Sequence, residues 1–586
     1  IKLTVHNSIS TFYPNYVFQL LWLGLNGFLF GYYYNFYNTK KTFFYTRVLL
    51  GPALALARAP AACLNLNCLL VLLPVCRNLL SLFRKACMCC PRRIRRVLDK
   101  NIKFHRMCAY MIVLMTLIHY FAHCFNVDFF TSAYQSKILA TDTPAIIQQK
   151  SQKIGAVFLL TGGWTGVIIT LSLFFMVTSS LEFIRRSYFE VFWFTHHLFI
   201  VFYGFLVVHG ISMQVRGQTP QSLTVHDPIR CSTIDPATWS QNNCPTPVFA
   251  GSPPMIISKY LDCFSTTNNS IFTPKGSNQA YFLYLIYTQT WKWVIAPMVL
   301  YVIERIIRLV RFNQQVEVLK VIKHPSRVLE IQMRKNGFFA EVGQYVFIMC
   351  PQLSQLEWHP FTLTSAPEED YFSIHVRIVG DWTTGLSKVL GADEAGNEVM
   401  VQYVQPSWKM PRLAIDGPFG TASEDVFNYP VAICVGSGIG VTPFASLLKS
   451  VWYKNLNPEH EMVLKKVYFF WICPETHAFE WFGDLLKYLE RQLTEIGRQD
   501  LIEYHIYLTR GWDHKQRIVF CFTIKKKTNY GRPNWDEIFS KTARDYPNTH
   551  IGVFFCGVAA LSAKLHKMSN KHSGGGVYFH YNKENF

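Results

Sequence analysis

Two apolar segments of this chain carry histidines at spacings that could hold metal. Ile102 to Phe125 contains His105 and His119, fourteen positions apart, and Val191 to His209 contains His196 and His209, thirteen apart. Each segment is long enough to cross a bilayer as a helix. Histidine inside a span is costly, and its presence points to a functional site. The two spacings correspond to ~21 Å and ~20 Å of helix, most of a hydrocarbon core. Side by side, two such helices would offer one histidine pair near each membrane face. Each pair could hold an iron porphyrin through both axial positions, because neutral imidazole is a standard haem ligand. Two haems stacked in this way would carry electrons across a membrane.

Helix periodicity supports the pairing in part. Fourteen residues at ~100° return His119 to within ~40° of His105, whereas thirteen leave His209 ~140° from His196. A local distortion of the second segment is therefore expected, and Gly204 is its expected place. His197 lies ~120° from His209, so periodicity does not choose between His196 and His197. The competing reading is four ordinary buried histidines bonded to carbonyls, which is weaker for four at matched depth than for one.

The elements that would position these residues follow from composition and charge. The chain has 586 residues and is 50% hydrophobic but only 16% charged, too apolar for an ordinary soluble enzyme and too mixed for a pure helix bundle. Its formal net charge is +20. Much of that charge lies beside apolar spans, from Arg84 to Lys103, at Arg185 and Arg186, and at Arg305, Arg308 and Arg311. This placement marks cytoplasmic loops and argues against nucleic acid. The 16 cysteines show no paired C-x-x-C spacing.

Six spans are expected: Val17–Tyr33, Val48–Val75 with Arg58 inside it, the first histidine segment, Val157–Thr178, the second histidine segment, and one ending near Val310. Both termini then lie in the cytoplasm. The polar segment between spans five and six lies outside. It holds a glycosylation sequon at Asn268, and Cys231 and Cys244 could pair there.

After Arg311 the pattern changes. Alternating runs such as Val328–Met333, Val342–Phe347 and Phe372–Arg377 predict a small antiparallel barrel. From Val431 the pattern becomes strand, glycine turn, helix, strand, as in a parallel sheet with crossover helices. Gly436-Ser437-Gly438-Ile439-Gly440-Val441-Thr442-Pro443 follows a strand and opens a helix, a context that suits a dinucleotide pyrophosphate. His359-Pro360-Phe361-Thr362 could line a flavin, or be a plain strand and turn. Arg377 could clamp a pyrophosphate, or be an ordinary exposed arginine.

Longer strings carry a resemblance. The barrel with His359-Pro360-Phe361-Thr362, the glycine turn with Thr442-Pro443, and Cys556-Gly557 resemble the ferredoxin-NADP reductase superfamily. The four span histidines resemble its transmembrane branch, the ferric reductases and NADPH oxidases. Leu56–Cys63, Ile184–Trp193, Glu357–Phe361, Asp416–Thr421 and the ending Asn582–Phe586 resemble the phagocyte-type NADPH oxidases and cover most of the chain. The implied fold is a six-helix transmembrane dihaem bundle over residues 1–312. A ferredoxin-NADP reductase-like module follows, with an antiparallel FAD-binding β-barrel over 313–423 and an α/β NADPH-binding domain over 424–586.

The resemblance also implies site residues. His105 and His196 would ligate an inner haem b, and His119 and His209 an outer one, which selects His196 over His197. Trp358, His359, Pro360, Thr362, His375, Arg377, Trp382 and Thr383 match flavin contacts. Gly436, Gly438, Gly440 and Thr442 form the nucleotide turn with Cys556 beside it. Ile439, Thr509 and Arg532 match NADPH contacts, and Phe586 would cover the flavin ring. Implied partners are oxygen, a small membrane light-chain subunit, cytosolic organiser and activator proteins, a Rac-type GTPase and membrane lipid. The implied membrane is plasma or phagosomal.

Arg58 has no acidic residue within seven positions on either side. An unpaired charge at that depth costs at least about 2.5–3.5 kcal/mol, so an anion is expected from elsewhere. Haem propionates and reduced oxygen are the anions available. His123, one turn beyond His119, would line the same oxygen pocket.

Some positions depart from the family pattern. Pro474 stands where an arginine would read the 2′-phosphate, Val558 replaces a proline after Cys556-Gly557, and Arg510 interrupts a Leu-Thr-Gly-Trp string. The loop Asp513–Thr528 lacks an acidic stretch, and Tyr260–Thr290 is extra. The expected activity is oxidation of NADPH through FAD and two haems, with superoxide made on the far side. The rivals are a ferric or cupric metalloreductase and an inactive scaffold or proton channel.

Overall fold

The computed structural model describes residues 2–86, 98, 100–138, 161–211, 215–217, 223–224, 227–232, 284–286, 290–324, 327–355, 357–392, 401–403, 410–420, 422–456, 462–473, 480–509 and 528–584. The chain divides into two compact units, one of residues 17–76 and 100–303, the other of 1–16, 77–99 and 304–586. The principal helices of the first half are α1 (Lys2–Thr39), α2 (Ala53–Leu72), α3 (Arg77–Ala86), α4 (Asn101–Ile138), α5 (Thr161–Ser179), α6 (Phe189–His196), α7 (Phe199–Ile211) and α8 (Thr290–Asn313).

Four stretches among the described residues are long and apolar enough to cross a membrane: Ala53–Val75, Asn101–Phe129, Thr161–Ser179 and Phe189–Ile211. Helices α1 and α8 occupy the expected first and sixth spans but are not among those four, so the count of six remains a proposal. The second span starts at Ala53, not Val48. Gly51, at φ +61°, and Pro52 separate it from the short helix Phe44–Leu50.

The first unit is held by apolar packing and one buried polar knot. Trp22 of α1 donates from Nε1 to Asn67 Oδ1 of α2 at 3.1 Å, and Asn67 Nδ2 donates to Asn26 Oδ1 at 2.6 Å. Both asparagines are buried, and each finds a partner on the other helix, which offsets the cost of desolvating an amide. The fifth span is two helices. Hydrogen bonds of the i→i−3 type from His197 to Phe194, Leu198 to Thr195 and Ile200 to His197 tighten the chain between α6 and α7. The distortion expected at Gly204 lies instead at His197 and Leu198. Three such turns at ~120° per residue close about 60° of the ~140° mismatch between His196 and His209.

The first unit also holds a short antiparallel pair, β1 (Val215–Gly217) with β2 (Tyr284–Ile286). In the second unit two sheets form the barrel. One has the order β7-β4-β3-β8, from β3 (Glu317–His324), β4 (Val328–Arg334), β7 (Phe372–Arg377) and β8 (Val401–Tyr403). The other has the order β6-β5-β9, from β5 (Tyr345–Met349), β6 (His359–Thr362) and β9 (Ala414–Phe419). Alternate residues such as Val321, Ile331, Val346, Ile374 and Ile415 fill the core between them. Helix α9 (Asp381–Val389) follows β7.

The last domain is a six-stranded parallel sheet of order β13-β12-β11-β10-β14-β15. Its strands are β10 (Val431–Ser437), β11 (Lys466–Cys473), β12 (Ile502–Leu508), β13 (Thr528–Tyr530), β14 (His550–Cys556) and β15 (Tyr578–Lys583). Helices α10 (Thr442–Leu456) and α11 (Glu480–Glu495) cover one face, α12 (Trp535–Asp545) and α13 (Ala559–His572) the other. Burial on both faces explains why β10 reads as an unbroken apolar run.

The barrel also grips helix ends. Asp416 of β9 is buried between Arg308 Nε at 3.3 Å and Arg311 Nη1 at 3.0 Å. Arg311 donates to Asn78 Oδ1 of α3, and Asn78 in turn donates to Glu304 Oε1. Arg77 lies 3.8 Å from the Phe347 ring centroid, and Arg84 pairs with Glu424 at 3.1 Å. Asp416→Ala would strip Arg308 and Arg311 of their shared buried carboxylate, leaving Arg308 with the more distant Glu304 at 3.9 Å and Arg311 with neutral Asn78, at a cost of about 3 kcal/mol. A lower denaturant midpoint for flavin release, restored in part by Asp416→Asn, is the expected readout.

Candidate functional site

Helices α2 and α4 run antiparallel in strict register. His105 donates from Nδ1 to the Val71 carbonyl at 2.8 Å, and His119 from Nδ1 to the Ala57 carbonyl at 2.7 Å. Fourteen residues separate each member of both pairs, so the register repeats at the two depths. Helix α5 does the same for the other two histidines. Ser180 gives its hydroxyl proton to the Met176 carbonyl, so its oxygen accepts from His196 Nδ1 at 3.3 Å. Thr165 gives its proton to the Thr161 carbonyl and accepts from His209 Nδ1 at 3.0 Å.

All four imidazoles are therefore protonated at Nδ1, and Nε2 is left with its lone pair. This is the arrangement in which an outer partner orients a metal-ligating histidine. Across the bundle, the His105 and His196 rings lie 6.3 Å apart between centroids. Two imidazoles on opposite sides of one ion, each bonded at about 2.0–2.1 Å, have centroids about 6–6.5 Å apart. The pair thus fits a haem iron held on both faces. His197 differs: its Nδ1 donates to Trp193 of its own helix at 2.7 Å. Gly166 lies against His209, where a Cβ would stand 3.6 Å from the ring.

Arg58 Nε is buried without a hydrogen-bond partner, and the guanidinium lies 5.4 Å from the Tyr37 ring centroid. Its charge reaches His119, His123 and His209, and among the described residues it has no acidic partner. His123 packs edge-on against His119 at 4.5 Å. An orphaned cationic donor beside two haem-type histidines fits an anionic group.

In the barrel, His359 and Trp382 stack at 4.0 Å, and Phe361 lies 6.0 Å from the same indole. His359 Nε2 and Trp382 Nε1 are both buried and make no hydrogen bond, although Glu357 comes within 3.5 Å of His359. Burial holds the His359 imidazole below its ordinary range, against the raising effect of Glu357. Two orphaned polar atoms in one aromatic wall fit the polar edge of a flavin. Trp358 lies edge-on to Phe312 at 6.5 Å, Pro360 is exposed, and Thr362 is buried on β6.

Three further expected flavin contacts are placed as follows. Thr383 Oγ1 accepts from Val379 N and Gly380 N and so caps α9. Arg377 is exposed at the end of β7, with no ion pair among the described residues. His375 has both nitrogens engaged, Nδ1 with Thr364 Oγ1 at 2.8 Å and Nε2 facing Glu330 Oε2 at 3.5 Å, while its ring stacks on Trp481 at 3.9 Å.

The parallel sheet brings its strand ends to one edge. The order in which strands are added reverses between β10 and β14, and ligands bind at such a switch point in open α/β sheets. Gly438 takes φ +57°, which favours glycine. Gly440 abuts the other loop so closely that a Cβ would lie 2.5 Å from the Cys556 carbonyl oxygen. Burial pushes the Cys556 thiol up to about 12, so it packs as a neutral thiol and not as a nucleophile. Gly436 closes the turn against Val441, Ile439 is exposed at its tip, and Thr442 starts α10. Thr509 follows β12 and binds the Cys473 carbonyl, while Gly531 N donates to Leu508 O, bringing exposed Arg532 beside it. Val558 is the N-cap of α13 without a side-chain bond. Pro474, Arg510, Phe586, Asn268, Cys244 and nearly all of 260–290 and 513–528 lie outside the described residues.

The outer partners Ser180 and Thr165 escaped the sequence reading, though hydroxyls inside a fourth apolar span were a usable signal. The carbonyls of Ala57 and Val71 carry no signal at all, because every residue has one.

The chain resembles known proteins over nearly its whole length. Residues 60–207 match the ferric reductase like transmembrane component, 313–423 an FAD-binding domain, and 429–570 the ferric reductase NAD binding domain. Human NADPH oxidase 3 is 43% identical over 597 residues, covering 97% of this chain and 98% of that protein. Mouse NADPH oxidase 1 is 43% identical over 615 residues, covering 100% and 96%. Human NADPH oxidase 4 is 37% identical over 574 residues, covering 97% and 96%.

Proposed function

The chain belongs to the NADPH oxidase family, and from that premise we propose that it moves electrons from cytosolic NADPH through FAD and two membrane haems to oxygen, releasing superoxide. The observation that carries this reading is the opposed His105 and His196 pair, 6.3 Å apart, with no hydrogen bond at either Nε2 among the described residues. When bound, flavin and haem together turn a two-electron donor into single-electron transfers.

The chain's own residues bind and orient. His105 and His196 would hold one haem b, and His119 and His209 the second, each ring steered by its Nδ1 partner. His359 and Trp382 would offer donors to the flavin in an aromatic wall that excludes water, with Trp358, Pro360 and Thr362 beside them. Backbone amides of Gly436–Gly440 receive the NADPH pyrophosphate, and Thr509 and Arg532 meet its ribose and 2′-phosphate. The nucleotide side and both termini lie in the cytoplasm of a plasma or phagosomal membrane. A small light-chain subunit, cytosolic organiser and activator proteins and a Rac-type GTPase complete the working assembly.

Reduced-minus-oxidised spectra of purified membranes test this. NADPH should reduce a b-type haem signal, and dismutase-sensitive superoxide should exceed ferric-chelate reduction. No haem reduction by NADPH would overturn the reading, and chelate reduction without superoxide would make the chain a metalloreductase.

Arg58→Ser removes a cation beside the His119 and His209 level. Its charge stabilises the electron-rich side of the reaction, so the variant should keep its haem, lower one midpoint potential and make less superoxide. Potentiometric titration decides it: unmoved midpoints would mean that Arg58 serves another partner.

A further inference from the structure

We propose that His324, Glu330 and His375 form a binding site for one divalent transition-metal ion of the zinc class, on the barrel wall that faces the nucleotide domain. The three residues come from adjacent strands in the order β7-β4-β3. Glu330 pairs in register with His375 on one side and with Ile322 on the other, two positions before His324. Alternation puts all three side chains on one face of the sheet, opposite the core residues Ile331 and Ile374.

Their ligand atoms converge. His324 Nε2 lies 2.9 Å and His375 Nε2 3.5 Å from the same carboxylate oxygen, Glu330 Oε2, and all three atoms fall within 4.8 Å of one another. A tetrahedral ion with bonds of about 2.0–2.1 Å needs its ligands about 3.3–3.4 Å apart, between the two observed values. Two imidazoles and a carboxylate leave a fourth position for water, and this donor set suits zinc more than calcium or magnesium.

The surroundings hold the ligands for that purpose. Thr364 engages His375 at Nδ1, and Thr364 is itself fixed by Ser373 Oγ at 2.9 Å. Gln332 Nε2 donates to Glu330 Oε1 at 2.8 Å, which leaves Oε2 for the ion. Such outer contacts are what orient metal ligands. The ligand side chains are 7–13% exposed, dry enough to strengthen binding yet open to entry. The outer face of His375 stacks on Trp481, the second residue of α11. An ion held here therefore braces the contact between barrel and nucleotide domain.

The test uses the full-length holoprotein in detergent, stripped with a chelator and dialysed against micromolar Zn²⁺ alone. Elemental analysis should find one equivalent fewer zinc in His324→Gln and in Glu330→Gln than in the parent, at equal flavin and haem. Thr364→Val should weaken that equivalent about tenfold. Equal zinc in the parent and both variants would overturn the site and leave a hydrogen-bonded histidine–glutamate cluster. Should the variants fail to fold, the parent protein alone decides. Zn²⁺ should slow amide hydrogen exchange in 328–334 and 372–377 at least threefold, and unchanged exchange in both segments refutes the proposal.

Discussion

Replacing His105 with leucine is expected to abolish superoxide production while leaving NADPH-dependent flavin reduction intact. The change removes one of the two proposed haem ligands and strands His196, whose ring faces it at 6.3 Å. It also deprives the Val71 carbonyl of its imidazole donor. Loss of an outer partner alone costs about 10–100-fold in metal affinity, so loss of the ligand itself should exceed a hundredfold. Ser180→Ala is the graded companion: it removes only the oxygen behind His196 and should stay within that lower range. Haem-to-flavin ratios and anaerobic flavin reduction, measured together, separate a lost haem from a collapsed protein. Normal haem content with normal output in the leucine variant would remove His105 from the ligand set. His197→Leu, by contrast, should leave haem content unchanged.

Gly440→Ala is expected to disable nucleotide use without touching the haems. The new methyl would lie 2.5 Å from the Cys556 carbonyl oxygen and 2.9 Å from its carbon, both backbone atoms that no rotamer change can move. Overpacking of this kind costs about 1–3 kcal/mol, or roughly five- to a hundredfold in binding. The two loops that frame the switch point must part, and the apparent KM for NADPH should rise by roughly that factor. Dithionite should still reduce the haems fully. Gly438 offers the contrast, because nothing lies within 4 Å of its Cβ position and only its φ of +57° resists substitution. Gly438→Asn, whose residue tolerates that backbone, should therefore cost far less. Equal KM values for Gly440→Ala and the parent would show that the close approach is not what shapes the nucleotide site.

The sequence carried the costly features best. Four imidazoles in apolar helices and a glycine turn after an apolar strand are expensive unless used, so each stands out against its surroundings. Features that cost nothing locally were hidden. The break at His197 and Leu198 contains no glycine or proline, and Gly204, which looked like the place for it, sits in an ordinary helix. Arg308 and Arg311 matched the charge bias of a cytoplasmic loop, yet they are paired with Asp416, more than a hundred residues away. A charge count has no means of separating those roles. His375 followed its strand partners into the cluster with His324 and Glu330, because strand order decides its neighbours and sequence spacing does not.

The four Nδ1 bonds have a consequence for biogenesis. A ligand that must shed a proton makes metal uptake acid-sensitive. Here the proton of each imidazole is already stored on the side away from the porphyrin slot, on two carbonyls and two hydroxyl oxygens. Loading the apo chain therefore releases no protons at these four nitrogens. Its equilibrium should be flat in pH wherever the rings are neutral, which leaves a maturing polypeptide able to take up haem equally well in compartments of different acidity.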